Sequence, residues 1–206
     1  MSKMIQLRNV PDALHRSLKA RAALAGMSLS DYLLAEIKEI AERPTLAELR
    51  DRLHKRKPVS AQIDTRSAGA RRTRNAMIVL DASAAVDWLL QTSPGQRIDR
   101  RIYAHSETLH APHLLDLEVT QVLRRLTQQG VVSGTRADEA VRDLVDLRLT
   151  RYPHLVLLPR IWQLRHNFSA YDAAYIVLAE KLGAPLITRD GRLASASGHG
   201  ATIELF

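Results

Sequence analysis

The most constraining feature of this chain is a succession of short apolar runs, each three to five residues long, separated by stretches with helical spacing, that begins at Met77. Met77-Ile-Val-Leu80 and Leu186-Ile-Thr188 are too short to be buried helices and too apolar to be surface strands. Alternation of such runs with helices predicts a parallel sheet covered on both faces, an α/β fold. The remaining expected elements are strands near 108–111, 155–158 and 202–206 and helices starting after Asp81, near 96–104, 114–129, 135–149 and 169–182. In open sheets of this kind ligands bind at the carboxyl ends of the strands.

Four carboxylates are placed for that edge. Asp81 closes the first apolar run and Asp190 follows Leu186-Ile-Thr-Arg189, while Glu118 and Asp172 lie on helical stretches otherwise turned toward a core. An unpaired buried carboxylate costs several kcal/mol, so acids converging at one edge need a shared cation. Without His or Cys among them, Mg²⁺ or Mn²⁺ suits the set better than zinc, as one ion or two. Each acid has an ordinary structural alternative: Asp81 and Asp190 as helix caps, Asp172 as a first-turn acid, Glu118 as a partner of Arg124 or Arg125. All four in this order favour a site.

Charge divides the chain at the same place. Residues 1–76 carry 16 Lys and Arg against 8 Asp and Glu, whereas residues 77–206 carry 14 of each, so the net +8 belongs to the first third. A basic module beside a neutral one implies a polyanionic partner, most simply nucleic acid. The sequence contains no cysteine, no secretory leader and no apolar run long enough to span a membrane, and a cytoplasmic protein is expected.

The basic third subdivides further. Met4–Val10 alternates as one short strand, with Ile5 and Leu7 on one face and Gln6 and Arg8 on the other. Pro11 fits the first position of a helix that runs to Gly26, and Ser28 with Asp31 caps a second helix through Leu33, Leu34, Ile37 and Ile40. Such a piece is too small to bury a core alone, so dimerisation is expected. Thr45-Leu-Ala-Glu48 opens a third helix with Leu46, Leu49 and Leu53 on one side, and Lys55 to Ala76 holds seven basic groups against one acid.

Residues 3–43, through Ile5-Gln-Leu-Arg-Asn-Val-Pro-Asp, Gly26 and the Ser28 cap, resemble the ribbon-helix-helix domain of antitoxins of the VapB and FitA type. The resemblance implies paired strands in a DNA major groove, with Gln6 and Arg8 on base edges of an operator. From Met77 to Phe206, the motifs Ile78-Val-Leu-Asp81-Ala-Ser83, Asp116-Leu-Glu118-Val, Ser169-Ala-Tyr-Asp172-Ala-Ala-Tyr175 and Leu186-Ile-Thr188-Arg-Asp190 are similar to those of PIN-domain ribonucleases of the VapC toxin family. That resemblance implies Asp81, Glu118 and Asp172 as metal-binding, catalytic acids on an RNA substrate, Asp190 completing the site, and Ser83 and Thr188 as polar helpers. Tyr171 and Tyr175 read as packing residues rather than base-stacking platforms.

The expected organisation is therefore 1–43 ribbon-helix-helix, 44–76 docking helix and inhibitory tail, and 77–206 PIN-like nuclease. Arg66, Arg71 and Arg72 are the candidates to lie among the acids, and the 19 residues from Pro58 to Ala76 can extend roughly 60 Å, enough for inhibition in cis or in trans. Twofold pairing of either module implies a dimer or tetramer. The competing reading is a DNA-binding repressor whose nuclease-like half is catalytically silent and serves oligomerisation.

Overall fold

The computed structural model describes residues 4–42, 44–59, 77–104 and 107–206. The chain divides into two compact units, 1–43 and 44–206. Arg66, Arg71 and Arg72 lie outside the described residues.

In the first unit α1 (Asp12–Leu24) and α2 (Leu29–Glu42) pack on each other. Pro11 is the residue before α1 rather than its first helical position. The helix stops where Gly26 takes φ +67, which lets Met27 N–H reach the Ala22 carbonyl at 2.9 Å and Gly26 N–H the Ala23 carbonyl at 3.1 Å. Ser28 Oγ accepts from Asp31 N–H at 3.1 Å, as the cap requires. The expected strand is not formed: residues 4–10 make no ladder, because a single strand has nothing to pair with in one chain. Ile5, Leu7, Leu14, Leu34, Ile37 and Ile40 stay exposed within this unit, and among its described residues only Ala22 is buried.

The second unit is a five-stranded, wholly parallel sheet of order β3-β2-β1-β4-β5, with β1 Met77–Leu80, β2 Thr108–Pro112, β3 Leu149–Tyr152, β4 Leu186–Thr188 and β5 Ile203–Leu205. Seven helices of this unit among the described residues are α4 (Ala82–Leu90), α5 (Ser93–Tyr103), α6 (Leu114–Gln128), α7 (Gly134–Asp146), α8 (Leu158–Gln163), α9 (Ala170–Leu182) and α10 (Gly191–Ser195). Strand order reverses between β1 and β4, so a crevice opens at their carboxyl ends. The two central helices are apolar through their middles, where α4 over Ala84–Leu90 and α9 over Ala173–Ala179 are buried on every side. Where α5 crosses α4, Gly95 is obligatory: a Cβ there would sit 1.9 Å from the Asp87 carbonyl oxygen.

One strand is misplaced by the sequence pattern. Leu155–Leu158 was expected as a strand but forms a 3₁₀ turn (His154–Leu157) leading into α8, and the strand lies earlier, at Leu149–Tyr152. Pro153 and Pro159 bracket the apolar run and favour tight helical backbone, whereas Leu-Thr-Arg-Tyr serves as an edge strand, where one flank meets solvent.

Residues 44–59 belong to this unit through α3 (Leu46–His54). Its first turn is closed by a reciprocal cap, Glu48 N–H on Thr45 Oγ1 at 3.2 Å and Thr45 N–H on Glu48 Oε2 at 2.6 Å. Leu49 and Leu53 enter the main core with exposures of 1% and 0%. Basic side chains flank them: Arg50 and His54 each lie 3.1 Å from Asp99, Arg52 lies 2.8 Å from both Asp143 and Asp146, and Arg56 lies 2.9 Å from Glu139 and 3.3 Å from Asp143. Tyr103 donates its hydroxyl to the Leu46 carbonyl.

Candidate active site

Asp81 is the residue after β1 and the one before α4, yet its side chain makes no cap bond. Instead Oδ2 accepts two hydroxyl protons, from Ser83 Oγ at 2.5 Å and Thr188 Oγ1 at 2.8 Å. Strand β4 carries Thr188 alongside β1, because Leu80 pairs with Ile187, so the adjacent strand supplies one donor and the first turn of α4 the other. Burial pushes the Asp81 carboxyl above the ordinary carboxylate range, and the hydrogen bonds from the Ser83 and Thr188 hydroxyls oppose the rise.

Glu118 sits in the first half of α6. Its carboxyl is also raised, first by burial and then by the charges of Asp81 and Asp172, while a hydrogen bond from Tyr175 works the other way. Tyr175 Oη donates to Glu118 Oε2 at 2.6 Å from a ring that is 2% exposed. Burial and the neighbouring carboxylates drive the phenol pKa strongly upward, so Tyr175 stays a donor. The structural alternative for Glu118, an ion pair with Arg124 or Arg125, is not formed among the described residues, where its partner is Tyr175.

Asp172 occupies the first turn of α9, where Ser169 caps the helix: Asp172 N–H donates to Ser169 Oγ at 3.1 Å, and Ser169 Oγ donates to Asp172 Oδ2 at 2.8 Å. Asp190 caps α10, accepting from Arg192 N–H at 2.8 Å and from the Arg192 guanidinium at 2.8 Å, and that guanidinium holds its carboxyl below the ordinary range. Asp116 faces elsewhere, paired with Arg151 at 2.7 Å. Tyr171, expected to pack, is 65% exposed; Tyr175 packs and also reaches the acids, a role its spacing one turn after Asp172 could have suggested.

The donor set is all oxygen and all hard, which fits a magnesium-like cation rather than a soft one. After burial, the charges of Asp81 and Asp172 also raise Glu118, and a bound cation would offset that repulsion. Among the described residues no three acids gather closely enough to hold a metal ion between them; Asp172 bonds Ser169 and Asp190 bonds Arg192.

The PIN domain family matches residues 78–198, more than half of the chain and the whole stretch that carries β1 to β4 and the four acids. The chain belongs to the PIN domain family. Among its relatives, ribonuclease VapC12 of Mycobacterium tuberculosis is 43% identical over 129 residues, which is 63% of this chain and 98% of the relative. VapC ribonuclease Mb0985 of Mycobacterium bovis is 48% identical over 120 residues, 57% of this chain and 88% of the relative. Of the solved structures, PAE2754 from Pyrobaculum aerophilum matches with a TM-score of 0.48 and 23% identity, covering 65% of this chain and 92% of that one. No helix among the described residues is long and apolar enough to cross a membrane.

Proposed function

We propose that this PIN-domain chain is an endoribonuclease of the VapC toxin class, dependent on Mg²⁺ or Mn²⁺ and restrained by its own N-terminal, antitoxin-like segment. The observation that carries the reading is the hydroxyl scaffold on two of these acids, Ser83 and Thr188 on one oxygen of Asp81 where β1 ends and Tyr175 on Glu118. Relatives named as ribonucleases, matched over nearly their full length, support it.

In this reading Asp81, Glu118 and Asp172 hold the cation, with Asp190 in support. When bound, such an ion polarises the scissile phosphate and lowers the pKa of a water. The chain's own work is to hold the acids still. Ser83 and Thr188 fix one oxygen of Asp81, Tyr175 fixes one of Glu118, and Ser169 fixes one of Asp172. RNA is the substrate class.

The restraint begins with α3, whose two leucines are buried in the core while Arg50, Arg52 and His54 on the helix, and Arg56 just beyond it, pair with acids of α5 and α7. Beyond it, the tail 60–76 would lay Arg66, Arg71 or Arg72 among the acids and compete with cation and substrate. Residues 1–43 would act as a ribbon-helix-helix dimer on operator DNA, a reading favoured by six apolar side chains left uncovered within that unit and by Gln6 and Arg8, both exposed and 3.3 Å apart. The chain would then be a dimer or tetramer, acting inside the cell.

The test compares the full chain with its Arg66/Arg71/Arg72→Ala form and with residues 77–206, on a fluorescent RNA with Mg²⁺ or Mn²⁺. Cleavage should appear on release of the tail and vanish with Asp81→Asn or Asp172→Asn. Folded, cation-loaded protein that stays inactive after release sinks the nuclease and leaves the alternative, a repressor with a silent PIN half. For the operator, Arg8→Ala should weaken binding by about 1–3 kcal/mol, and an unchanged, salt-insensitive affinity counts against the ribbon.

A further inference from the structure

Beneath the acids lies a charged pair that the sequence motifs did not single out. Asp87 on α4 and Arg189 after β4 are 1% and 4% exposed, with Arg189 Nε 2.7 Å from Asp87 Oδ2. Thr92 Oγ1 donates to the other oxygen of Asp87 at 2.5 Å, and Arg189 Nη1 donates to the Phe206 carbonyl at 2.6 Å. An enclosed ion pair is a poor source of stability, because well-packed apolar residues of similar volume often do as well or better. Its position gives a better account of it.

The backbone at Arg189 and Asp190 faces the hydroxyls that grip Asp81. Arg189 N–H donates to Ser83 Oγ at 2.9 Å, and Asp190 N–H donates to Thr188 Oγ1 at 3.0 Å. A hydroxyl has one proton and two lone pairs. With a backbone amide on the acceptor side, each hydroxyl directs its proton at Asp81 Oδ2, at 2.5 and 2.8 Å. Two amides of one short segment are thus relayed onto a single carboxylate oxygen. That segment leaves β4, ends in the exposed turn of α10, and is tied into the interior by the Arg189 side chain, which joins α4 to the end of β5.

We propose that Arg189, clamped by Asp87, is a positioning residue for Asp81: the buried ion pair sets the backbone of 188–190, whose amides orient the two hydroxyls that fix the carboxylate. Asp87 and Arg189 touch neither substrate nor cation and act only through Ser83 and Thr188. The consequence for cation binding rests on the functional reading above, whereas the clamp on the carboxylate does not.

The experiment uses the Arg66/Arg71/Arg72→Ala chain as parent, so that the tail does not compete with the cation, and two variants of it, Asp87→Leu/Arg189→Met, which removes both charges together, and Arg189→Lys, which keeps the charge on Asp87 but loses the fork that also reaches Phe206. Three quantities are read: the melting temperature, the exchange rates of the 189 and 190 amides by NMR, and Mn²⁺ affinity by calorimetry. The double variant should melt close to the parent yet show about tenfold faster exchange at both amides and about tenfold weaker Mn²⁺ binding, the size of effect that loss of a ligand's supporting contacts produces. A folded double variant with parental exchange and parental affinity overturns the proposal. Should the double variant fail to fold, Arg189→Lys decides it, faster exchange at 189 and 190 supporting the clamp and parental exchange refuting it. A parent chain that binds no Mn²⁺ while its variants still show faster exchange refutes the cation reading and leaves the positioning of Asp81 standing.

Discussion

Leu53→Ala tests how the nuclease is restrained. Leu53 is fully enclosed in the main core while sitting on α3, which, among the described residues, is the one helix of that unit that precedes the PIN match. Removing its isobutyl group forfeits burial and leaves a cavity, together about 2–5 kcal/mol for a leucine at such a site. Residue Leu49 and the basic contacts to Asp99 and Asp143 remain, so the loss falls mainly on the docking of this one helix rather than on the sheet. At about 3 kcal/mol the equilibrium for α3 leaving its groove shifts by about two orders of magnitude. Hydrogen exchange of the α3 amides reads that opening directly, and cleavage of a fluorescent RNA with Mn²⁺ reads its consequence. Both should rise together. Amides of α3 that exchange as in the parent refute the packing argument, and opened amides with parental cleavage refute the idea that docking of α3 restrains activity.

Asp143→Asn strips the charge that Arg52 and Arg56 share and should destabilise the docked helix by about 1–3 kcal/mol, seen as a lower urea midpoint; no change would mean that these partly exposed arginines gain nothing from it. Tyr175→Phe keeps the buried ring and removes only the donor to Glu118, so cleavage by the tail-released chain should fall about tenfold or more with little change in melting temperature, and full activity would exclude a role for the hydroxyl. Asp81 and Glu118 both titrate above their ordinary values, mainly because burial penalises the charged form. In the folded chain they therefore bind protons more tightly than when unfolded, and stability contributed below the unfolded pKa, near 4, is lost as pH rises through the raised values. A divalent cation binds the ionised forms, so in the Arg66/Arg71/Arg72→Ala chain the Mn²⁺-induced rise in melting temperature should grow from pH 4.5 to pH 7.5, and a rise that is flat with pH would contradict the site.

Much of the fold is legible in the sequence because its signals are local. Met77–Leu80 and Leu186–Thr188 read as buried strands from their own side chains, and the caps at Gly26, Ser28 and Thr45 depend on residues no more than a few positions apart. The strand at Leu149–Tyr152 escaped detection for the opposite reason. An edge strand needs no continuous apolar run, and the run that follows it, at 155–158, is turned by two prolines into helix with Leu155 and Val156 exposed. Three of the four acids could be recognised at strand and helix ends, and Ser83 and Thr188 lie beside two of them in sequence.

What the residues alone determined, then, was the parallel α/β class, the division between a basic first third and a neutral remainder, and the carboxylates offered to one edge of the sheet. Tertiary structure decided which groups hold those carboxylates and what covers the groove behind them: Tyr175 meets Glu118 across 57 positions, Arg56 meets Asp143 across 87, and Arg189 meets Asp87 across 102. Periodicity and capping are written into neighbouring residues, whereas a hydrogen bond or ion pair between distant segments exists only once the sheet order and helix packing have brought its two ends together.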